Sequence, residues 1–214
     1  MKKTVLASLL SLGIVAMATS SYAQGQVNFQ NNNFGGTGPG DVVNAPVTFG
    51  MTATAGNGRS GTSGVLVGSD FTADLLYSLD GGSTYTVLTA ANANDPSYPA
   101  AFGVPGATDG DSANFAGSFF GGVASIPGYT SGPVSFEVRA WQGASSFTAA
   151  QAARDWTGIS APFTLSSIQV SGQPGLPSDF TTMQAFVVTV PEPSVFALAG
   201  LGAAGLMAFR RKKA

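Results

Sequence analysis

Polar and apolar residues alternate along short segments of this chain, and loops rich in glycine, asparagine and proline separate those segments. The alternation is clearest at residues 26–30, 47–51 and 134–141. A period of two places successive side chains on opposite faces of a β-strand. Because strands with one apolar face must pack against a second layer, the pattern predicts an all-β domain. We expect a β-sandwich of jelly-roll or immunoglobulin-like type, although a single barrel would produce the same alternation.

One hairpin and one short helix can be predicted in more detail. Residues 71–79 and 84–89 flank the sequence Asp-Gly-Gly-Ser at 80–83, whose glycines tolerate the positive φ values of a tight turn. Residues 147–156 are rich in alanine and predict a helix that ends at Gly158 as its C′ residue.

The strand at 134–141 is the best defined, and its four core-facing positions are Val134, Phe136, Val138 and Ala140. The last two strands are expected at residues 162–170 and 180–190. Residues 90–131 are rich in glycine and proline, and they predict a long connection without regular structure.

The first residues have the pattern of a secretory signal peptide. Two lysines follow Met1, residues 5–17 are apolar, and Ser-Tyr-Ala precedes Gln24. Small residues at this spacing predict cleavage between Ala23 and Gln24 by signal peptidase after Sec-type export. We therefore divide the chain into a signal peptide helix at 1–23, a body at 24–189 and a tail at 190–214.

Charge and composition exclude several functions for the body. The body contains three arginines, no lysine and ten acidic residues, which gives it a net charge near −7. Nucleic acid is excluded as a partner, since binding its phosphates requires clustered cations. Cysteine and histidine are absent from the chain. Catalytic triads that use histidine and the usual zinc, copper and haem sites are therefore excluded as well.

Two groups of residues are candidate ligand sites. Glu137, Arg139 and Trp141 share the outer face of one predicted strand, where a sugar ring would stack on the indole and bind the charged groups. The structural alternative is a surface ion pair between Glu137 and Arg139 beside a partly covered tryptophan.

The second candidate is a loop with oxygen ligands suited to calcium, namely Asp109, Asp111 and Asn114. This loop lacks the ligand order and final glutamate of an EF-hand, so solvated polar side chains are the alternative. Residues 56–61 match G-x-G-x-x-G, but no helix is predicted after them, so they are not expected to bind a dinucleotide. We expect no catalytic residue, no metal and no cofactor, with calcium at the loop of residues 109–114 as the alternative.

The tail has three parts: Pro191-Glu192-Pro193, an apolar run at 195–209, and four terminal cations, Arg210, Arg211, Lys212 and Lys213. As a helix the apolar run covers roughly 22 Å, against a bilayer core of about 30 Å. It predicts a short transmembrane helix whose basic end remains cytoplasmic.

These three parts in this order resemble the PEP-CTERM sorting signal of Gram-negative bacteria. The resemblance implies that exosortase, a membrane-embedded cysteine protease-transpeptidase, processes the tail. It also implies an exported protein that is tethered to the inner membrane as a precursor and then moves to the cell envelope, the cell surface or the extracellular matrix. The body is similar to exported PEP-CTERM proteins of Verrucomicrobia-like bacteria, through residues 26–29, 126–129, 136–141 and 158–160. That group has no known activity.

Three functions agree with these observations. The first is a non-enzymatic surface or matrix component, which the resemblance associates with exopolysaccharide and biofilm. The second is a carbohydrate- or calcium-binding adhesion module. The third is a hydrolase that uses two carboxylates, but Glu137 is the body's single glutamate and its aspartates lie mostly in turn-like sequence. We expect the first function and not an enzyme.

Overall fold

The described part of the chain is mostly β-sheet with one short helix. The computed structural model describes residues 24–33, 43–93, 98–103 and 116–191. The strands there are β1 Gln24–Gln30, β2 Asn32–Asn33, β3 Val43–Asn44, β4 Val47–Phe49, β5 Ala53–Thr54, β6 Ser60–Gly61, β7 Phe71–Ser78, β8 Thr86–Val87, β9 Ala100–Ala101, β10 Phe120–Pro127, β11 Val134–Gln142, β12 Thr157–Ile159, β13 Phe163–Leu165, β14 Gln169–Val170 and β15 Phe186–Val188. The helix α1 is Phe147–Ala153.

The largest sheet is built around β11 and β7. These strands are antiparallel, in a register that runs from Ser135 opposite Ser78 to Gln142 opposite Phe71. β12 and β13 pair with the two ends of β11, and β8 and β9 pair with β7. The pairing of β8 with β7 confirms the predicted hairpin.

A second sheet has the order β10-β1-β14. The sequence did not predict β10, which lies inside the segment expected to be a long connection. Glycine obscured its alternation: a Cβ on Gly121 would lie 2.3 Å from the Phe29 ring, so this position is glycine to leave room for the aromatic side chain.

Side chains from both sheets meet in one core. Phe180 shows this most directly, because its ring centroid lies 6.3 Å from that of Phe29 in β1 and 5.2 Å from that of Phe136 in β11. The four positions of β11 that the sequence assigned to the core are all fully buried, which confirms that assignment.

The helix is shorter than predicted. Ser146 caps its N-terminus by accepting a hydrogen bond from Ala149, and Arg154, rather than Gly158, adopts the left-handed conformation that ends it, with φ 58°. Gly158 lies in β12, where a Cβ would come within 2.3 Å of the Val187 carbonyl oxygen. This glycine therefore permits close packing against β15 and does not end a helix.

Several sequence predictions fall outside the described residues. They are the signal peptide, the candidate calcium loop and the tail beyond Pro191, including the predicted membrane span. Within the described ranges no helix is long and apolar enough to cross a membrane.

Candidate functional site

The strand with the candidate sugar-binding residues contains an ion pair that the sequence did not identify. Arg139 lies opposite Asp74 of β7 in the sheet register. Its Nε donates to Asp74 Oδ1 at 2.8 Å, and its Nη2 donates to Asp74 Oδ2. Their side chains are 18% and 8% exposed, respectively. The expected surface pair of Glu137 with Arg139 is therefore replaced by a mostly buried, bidentate pair across two strands.

Arg139 also contacts an aromatic ring. Its guanidinium carbon lies 5.0 Å from the centroid of Phe147, the first residue of α1. The hydrogen bond to Asp74 raises the pKa of Arg139, and burial opposes that shift. The cation is thus held between a carboxylate and a ring face, an arrangement that orients the helix on the sheet.

Trp141 is buried rather than exposed. The side chain is 2% exposed, its indole N–H donates to the Ala144 carbonyl at 2.9 Å, and its ring packs edge-on against Phe147. The indole therefore offers no open face on which a sugar ring could stack. Glu137, two residues before Arg139, is partly buried, and this burial raises its pKa.

A shallow groove borders these side chains. Its lining includes Asp74, Arg139, Trp141 and Phe147, together with Tyr98 from the segment before β9. The Tyr98 hydroxyl accepts a hydrogen bond from the Leu75 N–H at 3.0 Å, and burial raises its pKa. Both carboxylate oxygens of Asp74 are bound to Arg139, so the pair contributes packing and orientation and supplies no free acid or base.

Sequence reasoning missed Asp74, Tyr98 and Phe147 as parts of this groove. The alternation of residues 71–79 puts Asp74 on the strand face opposite Leu75 and Tyr77, but no sequence signal indicates which strand lies beside it.

The described residues contain no group of three or more acidic, histidine or cysteine side chains that could hold a metal ion. Asp109, Asp111 and Asn114 lie within residues 104–115, which the structure does not describe. The glycine-rich segment at 56–61 lies within the β5–β6 hairpin, and no helix follows it.

The last residues of the body are hydrogen-bonded to the sheet almost up to the start of the tail. Thr189 exchanges two backbone hydrogen bonds with Thr157, the first residue of β12, at 2.8 and 2.9 Å. Val190 is partly buried against the core, and Pro191 is the last described residue. One residue therefore separates the last paired position of the sheet from Pro191.

The comparison with protein families identifies this junction. Residues 189–212 match the PEP-CTERM protein-sorting motif. The chain is a PEP-CTERM sorting domain-containing protein. The match includes Pro191, Glu192 and Pro193 and three of the four terminal cations. This motif supports an exported protein that exosortase-type machinery sorts and that is directed to the cell envelope. No curated protein and no solved structure matches the chain.

Proposed function

We propose that this PEP-CTERM protein is a non-enzymatic structural component of the cell surface or extracellular matrix, associated with exopolysaccharide. The observation that carries the proposal is the sorting motif, whose match begins at Thr189, directly after the last strand of a packed β body. A body of this kind, which we infer to be a β-sandwich, would be delivered to the envelope as a folded unit.

The route follows from both ends of the chain. Signal peptidase removes residues 1–23 after Sec-type export, and residues 195–209 hold the precursor in the inner membrane with its basic end in the cytoplasm. Exosortase then acts at the tail. The body then reaches the surface or matrix. Only the tail, and no part of the packed core, is inserted in the membrane before that.

The described charged groups support a structural role. Asp74 and Arg139 satisfy each other, and Arg59 pairs with Asp70 at 2.7 Å. Glu137 is the single glutamate of the body, so a catalytic pair would have to combine it with an aspartate.

Deletion of the gene in its native host tests this function. We expect the matrix to contain less polysaccharide in the deletion strain, and complementation with the full chain to restore it. The purified protein should release no reducing sugar from isolated matrix polysaccharide. Sugar release that disappears in a Glu137→Gln variant would contradict the proposal and support a hydrolase.

A further inference from the structure

We propose that one defined end of the body faces the membrane and that the exposed arginines at this end bind anionic lipid headgroups. This exit end consists of residues 55–59, Arg154 and Asp155, beside the point where the chain leaves at Pro191. The inference rests on the membrane-tethered precursor of the proposed function, and it adds which surface of the body faces the lipid and what chemistry that surface recognises.

Chain length brings this end to the membrane. Val195, where the apolar run begins, is four residues beyond Pro191. Even a fully extended chain spans at most about 14 Å over four residues. A headgroup layer several ångströms thick lies outside the hydrocarbon core and occupies much of that length. The surface around Pro191 must therefore lie close to the lipid headgroups.

The sheet register determines which residues share that surface. Thr189 and Thr157 pair in antiparallel orientation, so the chain after Thr189 runs beside the chain before Thr157. Asp155 and Arg154 are two and three residues before Thr157, on the same side of this pair as Pro191, which is two residues after Thr189.

Three hydrogen bonds attach the turn of the β5–β6 hairpin to this segment. Gly56 N–H donates to the Arg154 carbonyl at 2.8 Å, and Asn57 N–H donates to Asp155 Oδ1 at 2.9 Å. The Trp156 indole donates to the Arg59 carbonyl at 3.2 Å. A Cβ on Gly56 would lie 2.0 Å from the Ala153 carbonyl oxygen, so the turn sits directly against the end of α1. These contacts make the exit end one fixed surface.

The charge of this surface differs from that of the rest of the body. Two of the three arginines of the body are here, and both are exposed, Arg59 by 53% of its side chain. The two acids described nearby are both engaged: Asp155 is 5% exposed and accepts a hydrogen bond from the Asn57 N–H, and Asp70, with a side chain 22% exposed, pairs with Arg59. On a body with a net charge near −7, a surface whose two exposed arginines balance its two described acids is the one best suited to approach an anionic layer.

The backbone of Arg154 supports a role for its side chain. In the described part of the chain it is the one residue other than glycine with a positive φ. Glycine or asparagine usually occupies this helix-ending position, because a Cβ is strained there. Arg154 adopts this conformation although it has a Cβ, and its exposed side chain adds a second cation to the exit end.

Depth-dependent quenching in vesicles tests the orientation. The chain has no cysteine, so Ala152→Cys beside the exit end and Ser83→Cys in the β7–β8 turn each give a single labelling site. The β7–β8 turn lies at the opposite end of the β7–β11 ladder. The labelled full chain is reconstituted in phosphatidylcholine vesicles with and without phosphatidylglycerol, and a headgroup spin-labelled lipid quenches the fluorophore. We expect at least twofold stronger quenching at position 152 than at position 83.

The arginines are tested in the same vesicles. Phosphatidylglycerol should increase quenching at position 152, and the double variant Arg59→Gln and Arg154→Gly should lose that increase. Glycine is chosen at 154 because it accepts the backbone conformation. As a matched control, Ser83→Arg adds a cation at the far end and should not change quenching at position 152.

Each outcome has one meaning. Equal quenching at both positions in vesicle-bound protein would overturn the orientation and leave the proposed sorting intact. An increase with phosphatidylglycerol that survives the double variant would overturn headgroup binding by these arginines. Failure of the full chain to associate with either vesicle would contradict the membrane-tethered precursor and, with it, this inference.

Discussion

The Arg139 guanidinium holds together three elements of the body. It binds Asp74 on the neighbouring strand and lies against the ring of Phe147, where α1 begins. Removal of one partner from such a pair leaves a mostly buried charge without its counterion, and this is more costly than removal of both.

Substitution of Asp74 and Arg139 singly and together tests this role. We expect Asp74→Ala to reduce the free energy of unfolding by about 3 kcal/mol, since the guanidinium would remain covered and unpaired. The double variant Asp74→Ala and Arg139→Ala should lose less than the sum of the single variants, by about 1 kcal/mol or more. Urea unfolding of all four proteins measures this coupling. Additive losses would contradict a direct pair.

Asp80 organises the turn of the β7–β8 hairpin. Its carboxylate accepts hydrogen bonds from the Ser78 hydroxyl at 2.5 Å and from the N–H groups of Thr84 and Ser83. The Ser78 bond, followed by the Thr84 bond, lowers the pKa of Asp80 to about 2. These donors stabilise the charged form in the folded protein.

The pH dependence of stability should reveal this carboxylate. Because the folded pKa is below the unfolded one, Asp80 stabilises the body above the unfolded pKa, near 4, and this contribution disappears as the pH falls through about 2. We expect Asp80→Asn to melt at a lower temperature than the wild type at pH 7 and to match it near pH 2. An NMR titration should place the Asp80 midpoint near pH 2. A midpoint near 4 would contradict the hydrogen-bonded turn.

At the scale of elements, the sheet extends to the edge of the sorting motif. β15 lies parallel to β4, and Thr189 after it forms a hydrogen-bonded pair with Thr157. Such a pair places its Cα atoms about 5.5 Å apart, a separation that a disulfide can span.

A cross-link at this pair should therefore stabilise the body. The variant Thr157→Cys and Thr189→Cys is expected to gain about 2–4 kcal/mol over its reduced form, because the bond restricts the unfolded chain. Thermal melting with and without reductant measures the gain, and Thr189→Cys alone is the control. Failure of the bond to form, or a loss of stability when it does, would contradict the pairing of the last strand.

The elements that the sequence predicted correctly have uninterrupted patterns. Residues 134–141 alternate without a break, and the Asp-Gly-Gly-Ser turn has a backbone requirement that glycine alone fulfils easily. β10 and the end of α1 could not be predicted, because Gly121 and Gly158 are determined by neighbours distant in sequence. The pairing of Asp74 with Arg139 could not be predicted either, because the local sequence does not indicate the order of many short strands in a sheet.

At the scale of the whole molecule, Phe180 joins the two sheets. It is fully buried, and its ring packs against Phe29 of β1, Phe136 of β11 and Phe163 of β13. We expect Phe180→Ala to reduce the free energy of unfolding by about 3–5 kcal/mol, because a large cavity would open in the shared core.

The control for this prediction is Leu176→Ala at an exposed position, which should change stability by less than about 0.5 kcal/mol. Urea unfolding measures both variants. If Phe180→Ala were no more destabilising than Leu176→Ala, the two sheets would not share a core around this ring.

The central claim is that a PEP-CTERM signal sorts a folded β body. Processing of the C-terminus and the final location of the protein test this claim most directly. The measurement is the intact mass and cell fraction of the protein in its native host, for the wild type and for Pro191, Glu192 and Pro193 replaced by alanine. We predict that the mature wild-type protein lacks its basic end and leaves the membrane fraction, whereas the variant keeps that end and remains there. Identical C-termini and identical locations for the two proteins would contradict the account.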